Sequence, residues 1–412
     1  QEYLESQEGV PLGSEFKEQL CDKGTKVFIY SLDLNSTFNA AETAANLPFV
    51  ESVTAELEVL AAHFRKTFPD KKLFIVLNTG RPALYEWGVW ETALPAIPEI
   101  RELGLAESGG VMLHMDGSQL RTKIAVENPH LWQEQLIGLQ MYILNKIQNR
   151  HDVIVEPKSS MLSIRIATRA EEGGRYVYAA EDGSSITEQW IEQQVSEYLD
   201  ALQSDSTNKL TAIEEKIRQA PTENAIVLDT LKKFGLAGED AVAQKPQETQ
   251  RIILKALADA LADATNYRAQ ELAELHERLT TIALMKTKLK AKFNSTAGYV
   301  DIGHEDSNKY SALMRAMKEK GYSPSQTVVV HAGDSSTDII PTEYTGPDEI
   351  NEGADKVFLV GMQNSSTSLR NAIKLRNGQG RITAREQILG LHDLTLWITH
   401  AIEEIEHEQK II

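Results

Sequence analysis

Short apolar runs alternate with segments of helical spacing over the first third of the chain. Val27 to Leu32 is one such run, and Val50 to Phe68 repeats apolar residues at Val53, Leu57, Leu60, Ala61 and Phe64, the stripe of a helix. Lys72 to Leu77 is a second run, closing on Asn78-Thr79-Gly80-Arg81, and Val111 to Met115, entered through Gly109-Gly110, is a third. Strand, helix and strand in succession predict a parallel sheet with right-handed crossovers. The same rhythm returns after Tyr299. Asn308 to Lys320 reads as a helix, Thr327 to His331 as a strand ending at Gly333-Asp334, Lys356 to Gly361 as a further strand, and Leu391 to His407 as a closing helix.

The middle of the chain has a different pattern. Ile124 to Val126, Asp152 to Val155, Met161 to Thr168 and Arg175 to Tyr178 read as strands of a separate small sheet, with helical patterns at Leu136 to Ile147 and Thr187 to Leu202. From about Asn208 to Lys292 the residues shift to Ala, Leu, Glu, Gln and Lys, with Ile253, Leu257 and Leu261 four apart, a helical hairpin. The arrangement expected is one sheet domain built from residues 1–115 and 297–412, interrupted by a second domain at 116–296 that carries a helical insertion at 205–292. A chain of 412 residues is also too long for one ordinary core.

Charge and composition then remove several classes. A formal net charge of -18 argues against a nucleic-acid or anionic-membrane surface. No apolar run is long enough to cross a bilayer. The polar, acidic stretch Gln1 to Gln19 does not read as a secretory or transit signal, and the single cysteine, Cys21, suits a reducing compartment. A cytoplasmic location is therefore expected, with no nucleic-acid or membrane partner. The first strand is followed by neither a Walker loop nor a dinucleotide Gly-x-Gly-x-x-Gly, which counts against an ATPase or a dehydrogenase. The ten histidines show no metal-ligand spacing, and His304 and His331 read as structural.

Four polar positions each lie just past an apolar strand or at a helix start: Asp33 with Asn35, Thr79, Lys309, and Asp334 with Asp338. In a parallel sheet they converge at the carboxyl ends of the strands, where open α/β sheets bind ligands. A carboxylate nucleophile, a hydroxyl, a lysine and two further carboxylates are what metal-assisted phosphoryl transfer needs. Mg²⁺ is the expected cofactor, because it takes hard oxygen ligands and is satisfied by one or two carboxylates plus substrate.

Asp33-Leu34-Asn35-Ser36-Thr37, strand-Thr79-Gly80-Arg81, Ser307-Asn308-Lys309 and strand-Gly333-Asp334-Ser335-Ser336-Thr337-Asp338 resemble the four ordered motifs of the haloacid dehalogenase (HAD) superfamily. The Thr-Gly-Arg form of the second motif, and the large insertion after it, are similar to the Cof-like and sucrose-phosphate-phosphatase-like branch. So is Val357 to Asn364, read as a last core strand with its Gly-x-x-Asn exit. The resemblance implies a Rossmann-like core with an inserted α+β cap carrying extra helices. It implies Asp33 as the nucleophile that forms an aspartyl-phosphate, with Mg²⁺ held by the Asp33 carboxylate, the Asn35 carbonyl and Asp334. Thr79 and Lys309 would contact the transferring group, Asp338 would anchor metal-bound water or Lys309, and Gly80 and Arg81 would face the substrate entrance.

One position departs from that pattern. The family's phosphatases carry a second Asp where this chain has Asn35. That Asp protonates the leaving oxygen, and an amide cannot. An engineered Asp-to-Asn change, a natural loss of turnover, and proton supply from another acid all fit the residue. The expected function is hydrolysis of a small phosphorylated metabolite, a sugar phosphate, by a Mg²⁺-dependent phosphatase. The alternative is a non-catalytic HAD-like protein that binds a phosphorylated ligand or a protein partner.

Overall fold

The computed structural model describes residues 12–34, 47–83, 97–116, 119–148, 153–156, 158–169, 175–177, 179–219, 222–237, 241–294, 298–339, 356–376 and 379–411. At its centre is a five-stranded sheet in the order Gly380–Ile382, Val357–Gly361, Thr327–Gly333, Val27–Leu32, Lys72–Leu77. Every pairing in it is parallel. Helices cover both faces, so the central strands are buried along their whole length and read in the sequence as near-continuous apolar runs.

Alternate residues of Val27–Leu32 divide the core in two, as the two-residue period of a strand requires. Phe28, Tyr30 and Leu32 pack with Leu57, Leu60 and Phe64 of helix Leu47–Thr67 and with Leu394, Ile398 and Ile402 of helix Gln387–Ile411. Val27 and Ile29 face the other way, toward Tyr310, Leu313 and Met317 of helix Lys309–Glu319 and Leu369 and Ile373 of helix Thr367–Lys374. Register brings the functional edge into line. Leu32 pairs with both Ala332 and Leu77, so Asp33, Gly333-Asp334 and Asn78-Thr79 leave the sheet side by side.

Val111 to Met115 does not join this sheet. It lies in the strand Val111–Asp116 of a three-stranded antiparallel sheet with Gly104–Ala106 and Gln119–Ile124. The physical reason is connection length: a tight turn at Glu107–Gly109 can join antiparallel strands, whereas a parallel neighbour needs a crossover of a dozen or more residues. A second antiparallel sheet runs Leu289–Asn294, Tyr299–His304, Leu162–Arg165, Val155–Glu156, and a separate hairpin pairs Ala167–Arg169 with Arg175–Val177. Met161 to Thr168 is thus two strands in two sheets, and the predicted strand at Ile124 to Val126 lies earlier, at Gln119–Ile124. The helix expected at Leu136 to Ile147 runs Pro129–Leu144, with proline in its first turn, where a missing N–H costs nothing.

Residues up to Ile191, together with those from Lys288 onward, form one compact unit, and Glu192–Thr287 forms another. The first unit therefore contains the four-stranded sheet as well as the parallel core. The second is helical. It draws on helices Glu188–Gln219, Thr222–Lys233 and Gln247–Lys288, and its core gathers Val227, Leu231, Leu236, Val242, Ile253 and Leu257. The helical reading overran at its end, because Leu289–Asn294 is a strand. Its Leu-Lys-Ala-Lys-Phe alternation has the period of a strand and was hidden by Lys and Ala, which also suit helices. No helix among the described residues is long and apolar enough to cross a membrane.

Candidate active site

Asp33 follows the central strand and is 6% exposed, its N–H donating to the Ala332 carbonyl at 2.9 Å. Lys309 reaches it from the helix that covers the Val27 and Ile29 face of the sheet. Asn308 caps the helix Lys309–Glu319 by accepting from the Ser311 N–H at 2.8 Å, which sets Lys309 at the first helical position. The Lys309 ammonium, 1% exposed, donates to Asp33 Oδ1 at 2.6 Å and also to Asp338 Oδ1.

Asp338 is fully buried, and donors surround both of its oxygens. Oδ1 accepts from Lys309 and faces His331 Nε2 at 2.9 Å. Oδ2 accepts from the backbone N–H groups of Asp334 and Ser335, at 3.1 and 3.0 Å, and from Ser335 Oγ at 3.0 Å. Gly333 makes room for this carboxyl, since a Cβ there would overlap it. Gly333→Ala is therefore expected to destabilise the protein by about 1–3 kcal/mol through overpacking. It should also release Lys309 from Asp338, and a denaturation midpoint equal to that of the parent would count against this packing.

Burial, reinforced by the charge of Asp338, pushes Asp33 up to about 7 despite Lys309. Burial and the charges of Asp33 and Asp338 push Asp334 up to about 8. Burial alone would raise Asp338 as well, but Lys309 and His331 outweigh it and hold that carboxyl well below its usual range. Burial opposes the charge on Lys309, yet the two carboxylates outweigh it and keep the ammonium protonated. The edge thus holds more negative charge than one lysine can neutralise.

That imbalance suits a cation. Asp33, Asp334 and Asp338 each bring a carboxylate oxygen within 4.8 Å of the other two. These are the hard donors that Mg²⁺ accepts, and the two carboxyls with raised pKa, Asp33 and Asp334, are those a bound cation would relieve. The residues present fit the ion.

A pH-dependent result follows. In metal-free protein the folded-state carboxyls lie above the ordinary value of 3.8, so their contribution to stability is full below that value. It is lost as pH rises through about 7 to 8. Millimolar Mg²⁺, competing with those protons, is expected to raise the melting temperature more at pH 8 than at pH 6. Asp334→Asn should remove most of that rise, and an undiminished rise would exclude Asp334 as a ligand.

Thr79 is 1% exposed, and its backbone N–H donates to the Leu105 carbonyl at 2.9 Å. Its hydroxyl accepts from the Arg81 N–H at 3.1 Å, which leaves the hydroxyl proton to donate elsewhere. The Arg81 guanidinium pairs with Glu156 at 3.1 Å, and Glu156 with the buried Lys158, which also meets Asp301 at 3.1 Å. A cavity of about 330 Å³ adjoins Lys309 and is lined by Lys290, Lys292, Asp301, His304 and Ser336 among others. Gly80 and Arg81 do not line it. Asn35 lies outside the described residues, as do Ser36 and Thr37.

The sequence reading missed several residues that build this edge. Glu107 is buried, and its carboxylate accepts from Ser159 N, Ser160 N and Ser160 Oγ at 2.8, 2.7 and 2.6 Å. Its own turn is left-handed at Glu107 and Ser108, both with φ of 53°, and the Ser108 N–H donates to the Thr79 carbonyl at 2.9 Å. His331 was read as a structural strand residue, and in the structure it touches Asp338. The available signal was a polar residue inside a buried apolar run, matched by Ser31 in its partner strand.

The parallel core brings Asp33, Thr79, Lys309 and Asp334 with Asp338, drawn from the four ordered sequence motifs, to its carboxyl edge, and defines an α/β protein with a charged site at its strand ends. No family model matches the chain, and no curated protein matches it. Solved structures that are similar to it include trehalose-6-phosphate phosphatase of Aspergillus fumigatus, at 14% identity and a TM-score of 0.45, covering 97% of this chain and 100% of that one. The sucrose-phosphatase of Synechocystis, solved with sucrose and phosphate, has 11% identity and a TM-score of 0.39, covering 91% and 98%. A haloacid dehalogenase-like hydrolase of Bacteroides thetaiotaomicron has 12% identity and a TM-score of 0.36, covering 92% and 99%. Likeness at that level carries no argument about substrate or activity.

Proposed function

We propose that this chain is a Mg²⁺-dependent phosphomonoester hydrolase acting on a small phosphorylated metabolite, a sugar phosphate. The observation that carries the reading is the buried Lys309 ammonium bonded to both Asp33 and Asp338, with Asp334 completing a cluster of three carboxylates. In the reaction a carboxylate oxygen of Asp33 attacks phosphorus. The ester P–O bond breaks, its electron pair stays on the leaving oxygen, which takes a proton from solvent water, and an aspartyl-phosphate forms. Water then attacks that phosphorus, releasing phosphate and restoring the Asp33 carboxylate.

The residues divide the work. Lys309 neutralises the phosphoryl oxygens and the nucleophile, and the free Thr79 hydroxyl proton hydrogen-bonds the group in transfer. Asp338, saturated by five donors, holds Lys309 in place and is an anchor more than a ligand. Asp33 and Asp334, with the Asn35 carbonyl, would hold Mg²⁺, which supplies charge neutralisation on the phosphoryl group. Lys290, Lys292, Asp301 and His304 mix charges of both signs around the adjoining cavity, a lining suited to a polyhydroxylated leaving group.

The amide at Asn35 favours a second reading, a HAD-like protein that binds a phosphorylated ligand or a protein partner without turning over phosphate. A phosphate-release screen of Asn35→Asp with Mg²⁺ against a panel of sugar phosphates separates the two. Turnover supports the hydrolase, and none across a broad panel of phosphate esters supports the binding protein.

A further inference from the structure

Ser31 and His331 are paired in register on neighbouring parallel strands, so their side chains leave the same face of the sheet. That face is the one covered by the helix that begins with Lys309. Both residues are completely buried, and each follows a run of apolar residues in its strand. They belong to a chain of hydrogen bonds with a defined direction. Asn78 Nδ2 approaches the Lys309 carbonyl at 3.2 Å, and a carbonyl only accepts, so the amide orientation is set. The same Nδ2 donates to Ser31 Oγ at 3.2 Å. The Ser31 hydroxyl can then donate its own proton to His331 Nδ1, 2.8 Å away. With Nδ1 accepting, the neutral imidazole carries its proton on Nε2 and donates it to Asp338 Oδ1 at 2.9 Å. Burial lowers the His331 pKa and keeps the ring neutral.

We infer that His331 is a positioning residue of the phosphoryl site: its Nε2–H, oriented by Ser31 and Asn78, fixes the Asp338 oxygen that aims Lys309 at Asp33. An apolar side chain at 331 would fill the same space. It would leave Asp338 Oδ1 with Lys309 alone, free to pull the ammonium away from Asp33. The inference rests on the phosphoryl-transfer reading and extends it to a residue that touches neither phosphate nor metal.

The test uses beryllofluoride, a trigonal anion that adds to an aspartyl oxygen as a phosphoryl mimic and needs no acid–base residue. Its affinity for the full-length protein is measured by calorimetry at saturating Mg²⁺ for the parent, His331→Leu, His331→Gln and Ser31→Ala. Outer-shell partners of this kind are typically worth about 10- to 100-fold in affinity, and His331→Leu should lose that much. His331→Gln, whose amide can donate from near the Nε2 position, should recover most of it. Ser31→Ala should weaken binding several-fold. Rescue by Gln but not by Leu, at equal unfolding midpoints, is an outcome that core filling alone does not produce. Parent-like affinity of a folded His331→Leu protein would overturn the inference. Should that variant not fold, parent-like affinity of Ser31→Ala overturns it instead. Absence of beryllofluoride binding by the parent would overturn the phosphoryl-transfer reading itself, a result distinct from either.

Discussion

Asn35→Asp is expected to raise Mg²⁺-dependent phosphate release by about 10²–10⁴, the usual worth of a positioned general acid–base group. The substitution changes one atom set and leaves the backbone carbonyl in place. It restores a group that can protonate the leaving oxygen and then take a proton from the attacking water. The comparison that isolates chemistry is Asn35→Asp against Asn35→Asp/Asp33→Asn, assayed by phosphate release on the same substrate. The double variant should show no turnover above background, because an amide at 33 cannot attack phosphorus. Equal rates from the two proteins would remove Asp33 from the mechanism. Equal rates from the parent and Asn35→Asp would mean that another acid already supplies the proton.

Lys309→Met should have the second largest effect, and it should be visible without a substrate. The methionine approximates the apolar stem but takes away the ammonium bonded to Asp33 and Asp338. Two buried carboxylates are then left facing each other with Asp334 beside them. Breaking a buried ion pair from one side typically costs about 3–5 kcal/mol. The sign of its pH dependence follows from the charges. Without Lys309 the carboxyls have higher folded-state pKa values, so the loss is greatest at neutral and higher pH and shrinks as acid protonates them. Urea denaturation of parent and variant at pH 5 and pH 8 measures this. A pH-independent difference would show that the lysine acts through packing alone. In the Asn35→Asp background the same change should abolish turnover.

The parallel core was legible in the sequence because a strand buried on both faces is apolar along most of its length, as Val27–Leu32, Lys72–Leu77 and Val357–Gly361 are. Helix Leu47–Thr67 was legible through its stripe, and Lys309 through its place at the start of the helix read at Asn308 to Lys320. The antiparallel sheets were less so. Val111–Asp116 has the same apolar start as a core strand, and only its partners distinguish them. His331 and Glu107 gave no spacing to read, because His331 is oriented by Ser31, 300 positions away, and Glu107 binds a backbone it meets only after folding.

The chain alone thus determined the local pieces: which runs are buried, where helices begin, and which four polar clusters follow them in order. Those depend on side-chain period and capping, which neighbours in sequence supply. Tertiary structure decided what the clusters become. Asp33 and Lys309 lie 276 positions apart and meet at 2.6 Å. The charge state of each carboxyl, and the direction of the hydrogen bonds from Asn78 to Asp338, depend on burial and partners that only the closed sheet provides.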